Sequence, residues 1–279
     1  MGSDGSMNNV SGHNSELLSD NNSSKKDAEQ IVEELLFAVS NQDRLKILKE
    51  VSRGRKRLTQ CSKLINATNQ ECTRHLHRLY EQGLIEKDQV GFYKITPFGR
   101  ILLQSLRATE FIAQHKETFL THELSYLPAH FVERIGELSE GMFVDNISMI
   151  LRYIENAMMQ ANEFLWLMSD QPIVTGESIA TSALTKPIPV RLITTDVVDR
   201  KELSIIKERL GSRAEIGTLS DVHIAMVINE QAAGFCLPDL SGKVDFRTGF
   251  AGADFQFIRW CTELYQYYWE RSRKVALFE

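Results

Sequence analysis

The chain lacks any hydrophobic run long enough to cross a bilayer. No stretch of its 279 residues approaches the roughly 20 consecutive apolar residues a spanning helix needs, and no basic-then-apolar leader opens it. A soluble, unexported protein with no membrane partner is expected. Cysteine is scarce and scattered: Cys61, Cys72, Cys236 and Cys261 form no C-x-x-C pair and have no histidine at metal spacing. This argues against a zinc module and predicts reduced, mostly buried thiols in a cytoplasmic protein. Cys61 and Cys72 bracket one turn, so a redox switch competes there with simple packing. Also missing are a P-loop, a dinucleotide glycine pattern and a G-x-S-x-G elbow, so no cofactor is expected and the commonest nucleotide and serine chemistries are excluded.

A net positive charge is missing too. The formal balance of −5 argues against a nucleic-acid binder, but the average conceals a split. Residues 41–107 carry 14 Lys+Arg against 6 Asp+Glu, a balance of +8, and the remainder carries 18 against 31, a balance of −13. A basic module on an acidic body fits a protein of which only one part meets phosphate, because the attraction is local and screened beyond roughly 10 Å.

What is present reads in order along the chain. Residues 1–26 are rich in Ser, Asn, Asp and Gly and are expected to form a disordered tail; MGSDGS before Met7 has the look of an expression scar, and His13 stands alone. Ile31, Val32, Leu35, Leu36 and Val39 recur at helical spacing, as do Leu45, Ile47, Leu48 and Val51 before Gly54. TQCSKLINA predicts a short helix with Thr59 as N-cap, and a longer helix follows a tight turn and ends at Gly83. Leu84–Asp88 and Phe92–Thr96 then read as a two-stranded hairpin around QVG. This order predicts a winged helix-turn-helix domain over residues 30–105.

On a wheel of 100° per residue, Cys72, His75, Leu76 and Leu79 of the longer helix fall within about 60° of one another, and Gln70, Arg74, His77, Arg78 and Glu81 fall opposite. One face enters the core; the other offers forked and polar donors to a groove of double-stranded DNA. Arg74 suits guanine O6/N7 or a phosphate, Gln70 suits an adenine edge, and Asn69 and Thr73 lie near the N-terminus where recognition helices meet bases. Lys87, Gln89, Tyr93 and Lys94 are expected to reach the DNA backbone from the wing, and Thr59 and Lys63 complete the expected contact set. A basic outward face is also what a merely solvated helix shows. His75 and His77, two apart, point to different sides and make no metal pair.

Beyond Gly99 the pattern stays helical through ILLQSLRATEFIAQHKETFLTHEL, a linker and dimerisation helix for an expected homodimer, and FVDNISMILRYIENA repeats the period. EFLWLMSD, PVRLITTD, AEIGTL, VHIAMVIN and AAGFCLP are short apolar runs, with a helix predicted in RKELSIIKERLG and another closing the chain from DFQFIRW onward. The alternation predicts an α/β effector domain over residues 110–279 with a mixed open sheet, so the fold class is α+β winged helix-turn-helix followed by α/β. Asp170, Thr194, Thr195, His223 and Arg247 stand at strand ends or just past a hairpin, where open α/β sheets bind ligands; a small-molecule effector pocket and plain turn formation are both compatible with them.

NQDRLKILKEV, TRHLHRLYEQGLIEKD and YKITPFGR resemble the ArsR-like winged helix of archaeal transcriptional regulators. LPAHFVERIGEL, GFCLPDLSGKVDFRTGF and YYWERSR resemble the effector domain of the methanogenesis-regulator (FilR) group. The resemblance implies a dimeric DNA-binding transcription regulator with a sensing or assembly domain. The run HIAMVINE resembles a phospholipase-D-like core, in which His223 would be the nucleophile and Glu230 the acid; the lysine position is Ala225 and no second such motif exists, so catalysis is not expected. The rival reading is a winged-helix module for protein interaction or chromatin architecture, without an effector.

Overall fold

Spacing of apolar residues at helical and then at alternating periods builds two separate units, Met1–Gln104 and Ser105–Glu279. The computed structural model describes residues 27–171, 186–197, 203, 208 and 210–275. The expected tail over 1–26, and all but Leu203, Glu208, Leu210 and Gly211 of the helix predicted in RKELSIIKERLG, lie outside the described residues.

In the first unit, α1 (27–39) is followed by α2 (Gln42–Arg53), β1 (Lys56–Arg57), α3 (Leu58–Leu64), α4 (Asn69–Glu81), β2 (Ile85–Lys87) and β3 (Phe92–Ile95), and α5 (Pro97–Gln114) begins there. Asn41 caps α2 by accepting the amides of Asp43 and Arg44 at 3.0 and 3.1 Å. Ile47, Leu48 and Val51 of α2 and Cys72, Leu76 and Leu79 of α4 are buried, which is the face the wheel assigns to the core. The wing sheet has three strands in the order β1-β3-β2, one more than the sequence pattern gives, because β1 is only two basic residues long and has no apolar alternation to announce it. α3 begins at Leu58, so Thr59 lies in its first turn and is not the N-cap; Arg57 takes that place, its amide donating to Gln60 Oε1 at 2.8 Å. Gly99 admits no side chain, since a Cβ there would sit 2.1 Å from the Leu84 carbonyl oxygen.

The second unit carries an eight-stranded mixed sheet, order β11-β7-β6-β5-β8-β9-β10-β4. Its strands are β4 (Met142–Val144), β5 (Leu165–Met168), β6 (Val190–Thr195), β7 (Ala214–Leu219), β8 (Ala225–Ile228), β9 (Ala233–Cys236), β10 (Gly249–Gly252) and β11 (Arg273–Lys274). β5, β6 and β7 run parallel, and the remaining pairings are antiparallel. The helical run past Gly99 breaks at His115 into α5 and α6 (Lys116–Thr121). Met142–Val144 is a strand and not the start of a helix, and α8 (Ile147–Gln160), which follows the short α7 (Ala129–Glu133), begins after the Asn146 cap.

Alternation along the strands sends side chains to two cores. Met168, Ile193, Met226, Phe235 and Phe250 pack with Phe257, Trp260, Leu264 and Tyr265 of α9 (Phe255–Arg271). Leu165, Leu167, Val190, Leu192, Ile216 and Val227 pack with Ala157 and Met158 of α8. Trp260 is fully buried and its indole N–H donates to the Phe131 carbonyl at 3.1 Å, so the largest apolar side chain leaves no orphaned donor.

Candidate nucleic-acid interface and strand-end site

The helix that offers the polar face is anchored at its start by the sequence TNQE. Thr68 Oγ1 accepts the Glu71 amide at 3.2 Å, and Glu71 Oε2 accepts the Thr68 amide at 3.0 Å and its hydroxyl at 2.8 Å. These bonds hold the Glu71 carboxyl below its usual range, the Thr68 amide being the largest cause. The turn from α3 to α4 passes through Asn66 at φ 52°, a left-handed position that asparagine tolerates better than branched residues.

On α4 the structure leaves Asn69, Gln70, Thr73, Arg74 and His77 exposed on one side. Thr73 donates its hydroxyl proton back to the Asn69 carbonyl at 2.7 Å and keeps only lone pairs for a partner; His77 Nδ1 lies 3.3 Å from Glu81 Oε2. Thr59 and Lys63 on α3 are exposed too. Arg78 departs from the expectation. It is half-buried, its guanidinium sits 5.0 Å from the Phe37 ring centroid of α1, and its Nε has no hydrogen-bond partner. A residue at the rim of the wheel is drawn to the neighbouring helix by the aromatic ring.

The wing also departs in part. Tyr93 is only 9% exposed, because β3 alternates and places Tyr93 and Ile95 on the core side; it is not a backbone contact. Lys94 is exposed but pairs with Glu86 at 2.9 Å, its cross-strand neighbour. Lys87 and Gln89 are exposed near the tip. The tip is closed by Asp88, whose Oδ1 accepts the amides of Val90 at 3.0 Å and Phe92 at 2.8 Å, with Gly91 at φ 86°. Two cations that sequence reasoning passed over stand beside it: Arg55 and Arg57, with guanidinium carbons 4.7 and 4.6 Å from the centroid of Phe92. The run RGRKR was the available signal, and only strand β1 shows where it leads.

In the second unit the five strand-end residues do not line one wall. Asp170 is half-buried with Oδ1 lacking a partner; burial pushes its carboxyl up, and His223 is near enough to oppose that shift. His223 lies under Tyr126 with ring centroids 3.7 Å apart, and its Nδ1 is 2.6 Å from the Gly242 carbonyl, to which it donates its proton. Gly242 itself has φ 84°, and a Cβ there would meet the Tyr126 hydroxyl at 2.7 Å. Thr194 and Thr195 alternate to opposite faces of β6, so only Thr194 joins the deeply buried positions. Arg247 is held away by both oxygens of Asp245, at 2.8 and 2.9 Å; Asp245 in turn faces buried His122 Nε2 at 3.4 Å. The expectation of one pocket lined by all five is therefore corrected: Thr194 and Thr195 face opposite sides of β6, and Arg247 is committed to Asp245.

A row of hydroxyls takes their place. Thr194 pairs in register with Thr218, and the Ser169 amide donates to the Ile193 carbonyl at 3.1 Å, so Ser169, Thr194 and Thr218 stand side by side at the C-terminal ends of β5, β6 and β7. All three are buried, and the Oγ1 atoms of Thr194 and Thr218 have no hydrogen-bond partner. Orphaned polar atoms in such a place are an unmet demand for a water or a ligand group.

The first unit has the architecture of a DNA-binding regulator: a helix-turn-helix whose second helix exposes polar and basic side chains, followed by a wing. In family terms, the model for bacterial regulatory proteins of the arsR family matches residues 41–87, so this segment is an ArsR-family helix-turn-helix. No curated protein sequence matches the chain. Among solved structures, the chain is similar to TrmBL2, an archaeal chromatin protein, at 18% identity and TM-score 0.41, over 84% of this chain and 94% of that one. It is also similar to the O-methyltransferase NcsB1 from neocarzinostatin biosynthesis at 13% identity and TM-score 0.24, over 67% and 65% of the two chains. An O-methyltransferase family protein from Burkholderia thailandensis gives 12% identity and TM-score 0.25, over 72% and 64%. Among the described residues no helix is long and apolar enough to cross a membrane.

Proposed function

We propose that the chain is a homodimeric, cytoplasmic transcription regulator of the archaeal FilR group. In this reading residues 30–105 bind double-stranded DNA, and residues 110–279 form a degenerate phospholipase-D-like domain for sensing or assembly. The observation that carries the DNA reading is the exposed row Asn69, Gln70, Thr73, Arg74 and His77 on the second helix of an ArsR-family helix-turn-helix. Thr59, Lys63, Lys87, Gln89 and Lys94 are assigned backbone contacts around it. Charge supports it: residues 41–107 balance at +8 within a chain of −5, so the field that attracts phosphate is concentrated on this unit.

Dimer formation is supported by apolar side chains that the single chain leaves in water. Ile31, Val32 and Leu36 of α1 are 65%, 53% and 51% exposed, and Ile101 and Ile112 of α5 are exposed as well. Two recognition helices of a two-fold dimer would meet half-sites about 34 Å apart. Ligand sensing is supported by the orphaned oxygens of Asp170, Thr194 and Thr218 at the strand ends. A regulatory and not catalytic second domain is supported by Ala225, buried in β8 where a phosphoryl-transfer site would hold its lysine.

The test is duplex binding by the full chain as a function of salt, with light scattering on the same sample. Salt-sensitive binding by a species of twice 31.8 kDa is expected. A chain that captures a protein partner through α4 and shows no salt-dependent affinity for duplex DNA would replace this reading with an interaction module.

A further inference from the structure

We propose that Arg55 and Arg57, gathered on the ring of Phe92, form a phosphate clamp at the wing that grips the backbone of duplex DNA. This rests on the DNA-binding reading and adds residues that neither the helix pattern nor the hairpin suggests. β1 pairs antiparallel with β3, Arg57 opposite Phe92, and Phe92 follows directly on the Asp88–Gly91 turn that forms the wing tip. Arg55 directly precedes β1 and Arg57 ends it, and both guanidiniums fold onto the same ring, at 4.7 and 4.6 Å. The ring holds the two cations where they would otherwise swing freely, which removes rotamer entropy before a partner arrives.

Both arginines are exposed, and neither makes an ion pair among the described residues; Arg55 feels only the longer-range pull of Asp88. The neighbouring cations each have a carboxylate beside them: Lys56 lies 2.5 Å from Glu50, and Lys94 2.9 Å from Glu86. Two like charges held together repel one another, and the Phe92 ring and the more distant Asp88 carboxylate offset that cost only in part. A polyanion with closely spaced phosphates does, and the planar forks of arginine suit phosphate oxygens better than an ammonium would. Phosphate contacts fix register without reading sequence, so the clamp sets position while α4 reads bases.

The experiment compares wild type, R55A, R57A, R57K, F92L and K87A in the full chain, measuring affinity for a labelled random-sequence duplex across a salt series. Each alanine variant at 55 or 57 is expected to lower the slope of log K against log salt by about 0.9, the value for one phosphate contact. R57K keeps the charge and should keep the wild-type slope, which separates lost charge from a disturbed fold. F92L keeps every charge and should weaken binding several-fold on all sequences alike, because the cations are no longer gathered. Unchanged slope and affinity in R55A and R57A, with K87A weakened, would overturn the clamp and leave the DNA reading in place. Absence of any salt-dependent duplex binding by wild type would overturn both.

Discussion

The backbone amide of Thr68 and the carboxylate of Glu71 meet at 3.0 Å, while the Thr68 hydroxyl accepts the Glu71 amide at 3.2 Å. This reciprocal pair closes the first turn of the helix that presents Gln70 and Arg74, so a local cap decides where the exposed polar row starts. Thr68→Ala should destabilise the protein by about 0.5 to 2 kcal/mol, the range for losing an N-cap hydroxyl. Chemical denaturation with an unchanged m-value would register it, and a variant as stable as wild type would show that the cap is idle. The pH dependence has a defined sign. Glu71 is held below its usual range in the folded protein, so its contribution is present at neutral pH and is lost as pH falls through the folded value.

Base reading and backbone contact separate in their response to sequence. Arg74→Ala should cost about 1 to 3 kcal/mol on a specific site and relax preference at one base position, because a bidentate contact discriminates. Lys87→Ala should weaken every sequence equally. Uniform loss from Arg74→Ala would reassign that side chain to phosphate.

All four thiols are buried, and burial pushes them upward: Cys72 to about 11, Cys236 to about 12, and Cys61 and Cys261 in the same direction. None should react with a thiol reagent in the native protein at neutral pH, and four should react after unfolding. Rapid native labelling of Cys61 or Cys72 would restore the redox switch as a live alternative to packing.

Asp170 is the one strand-end acid whose environment opposes its charge. Burial raises its carboxyl, so the folded state holds its proton more tightly than the unfolded chain, and stability falls as pH rises through the folded value. Asp170→Asn should therefore raise the melting temperature at neutral pH and lose that advantage under acid conditions. A variant less stable than wild type at neutral pH would show that Asp170 is satisfied by something other than a bound partner.

Much of this was legible in residue spacing, and the failures have physical causes. The core face of α4 followed from Cys72, Leu76 and Leu79 at helical period, and β5 to β9 from apolar runs bounded by polar residues. β1 and β11 escaped because two-residue strands of Lys and Arg carry no periodicity. β4 was absorbed into a helix because Met142–Val144 flows without a breaker into the cap at Asn146. At the wing, Tyr93 was assigned outward on chemistry, but strand alternation decides its side. Among the strand-end residues, a place at the end of a neighbouring strand does not fix which face a side chain takes. Alternation separates Thr194 from Thr195 and brings Thr218, more than twenty residues on, beside Thr194.

In the proposed reading the exposed face of α4 reads duplex DNA. The most direct test is selection of binding sites from a random duplex pool by the full chain, wild type against Arg74→Ala. Wild type should enrich one motif with two related halves about 10 base pairs apart, as a two-fold dimer requires, and the variant should lose preference at one position in each half. Enrichment of no sequence by wild type, or an identical motif from the variant, would contradict it.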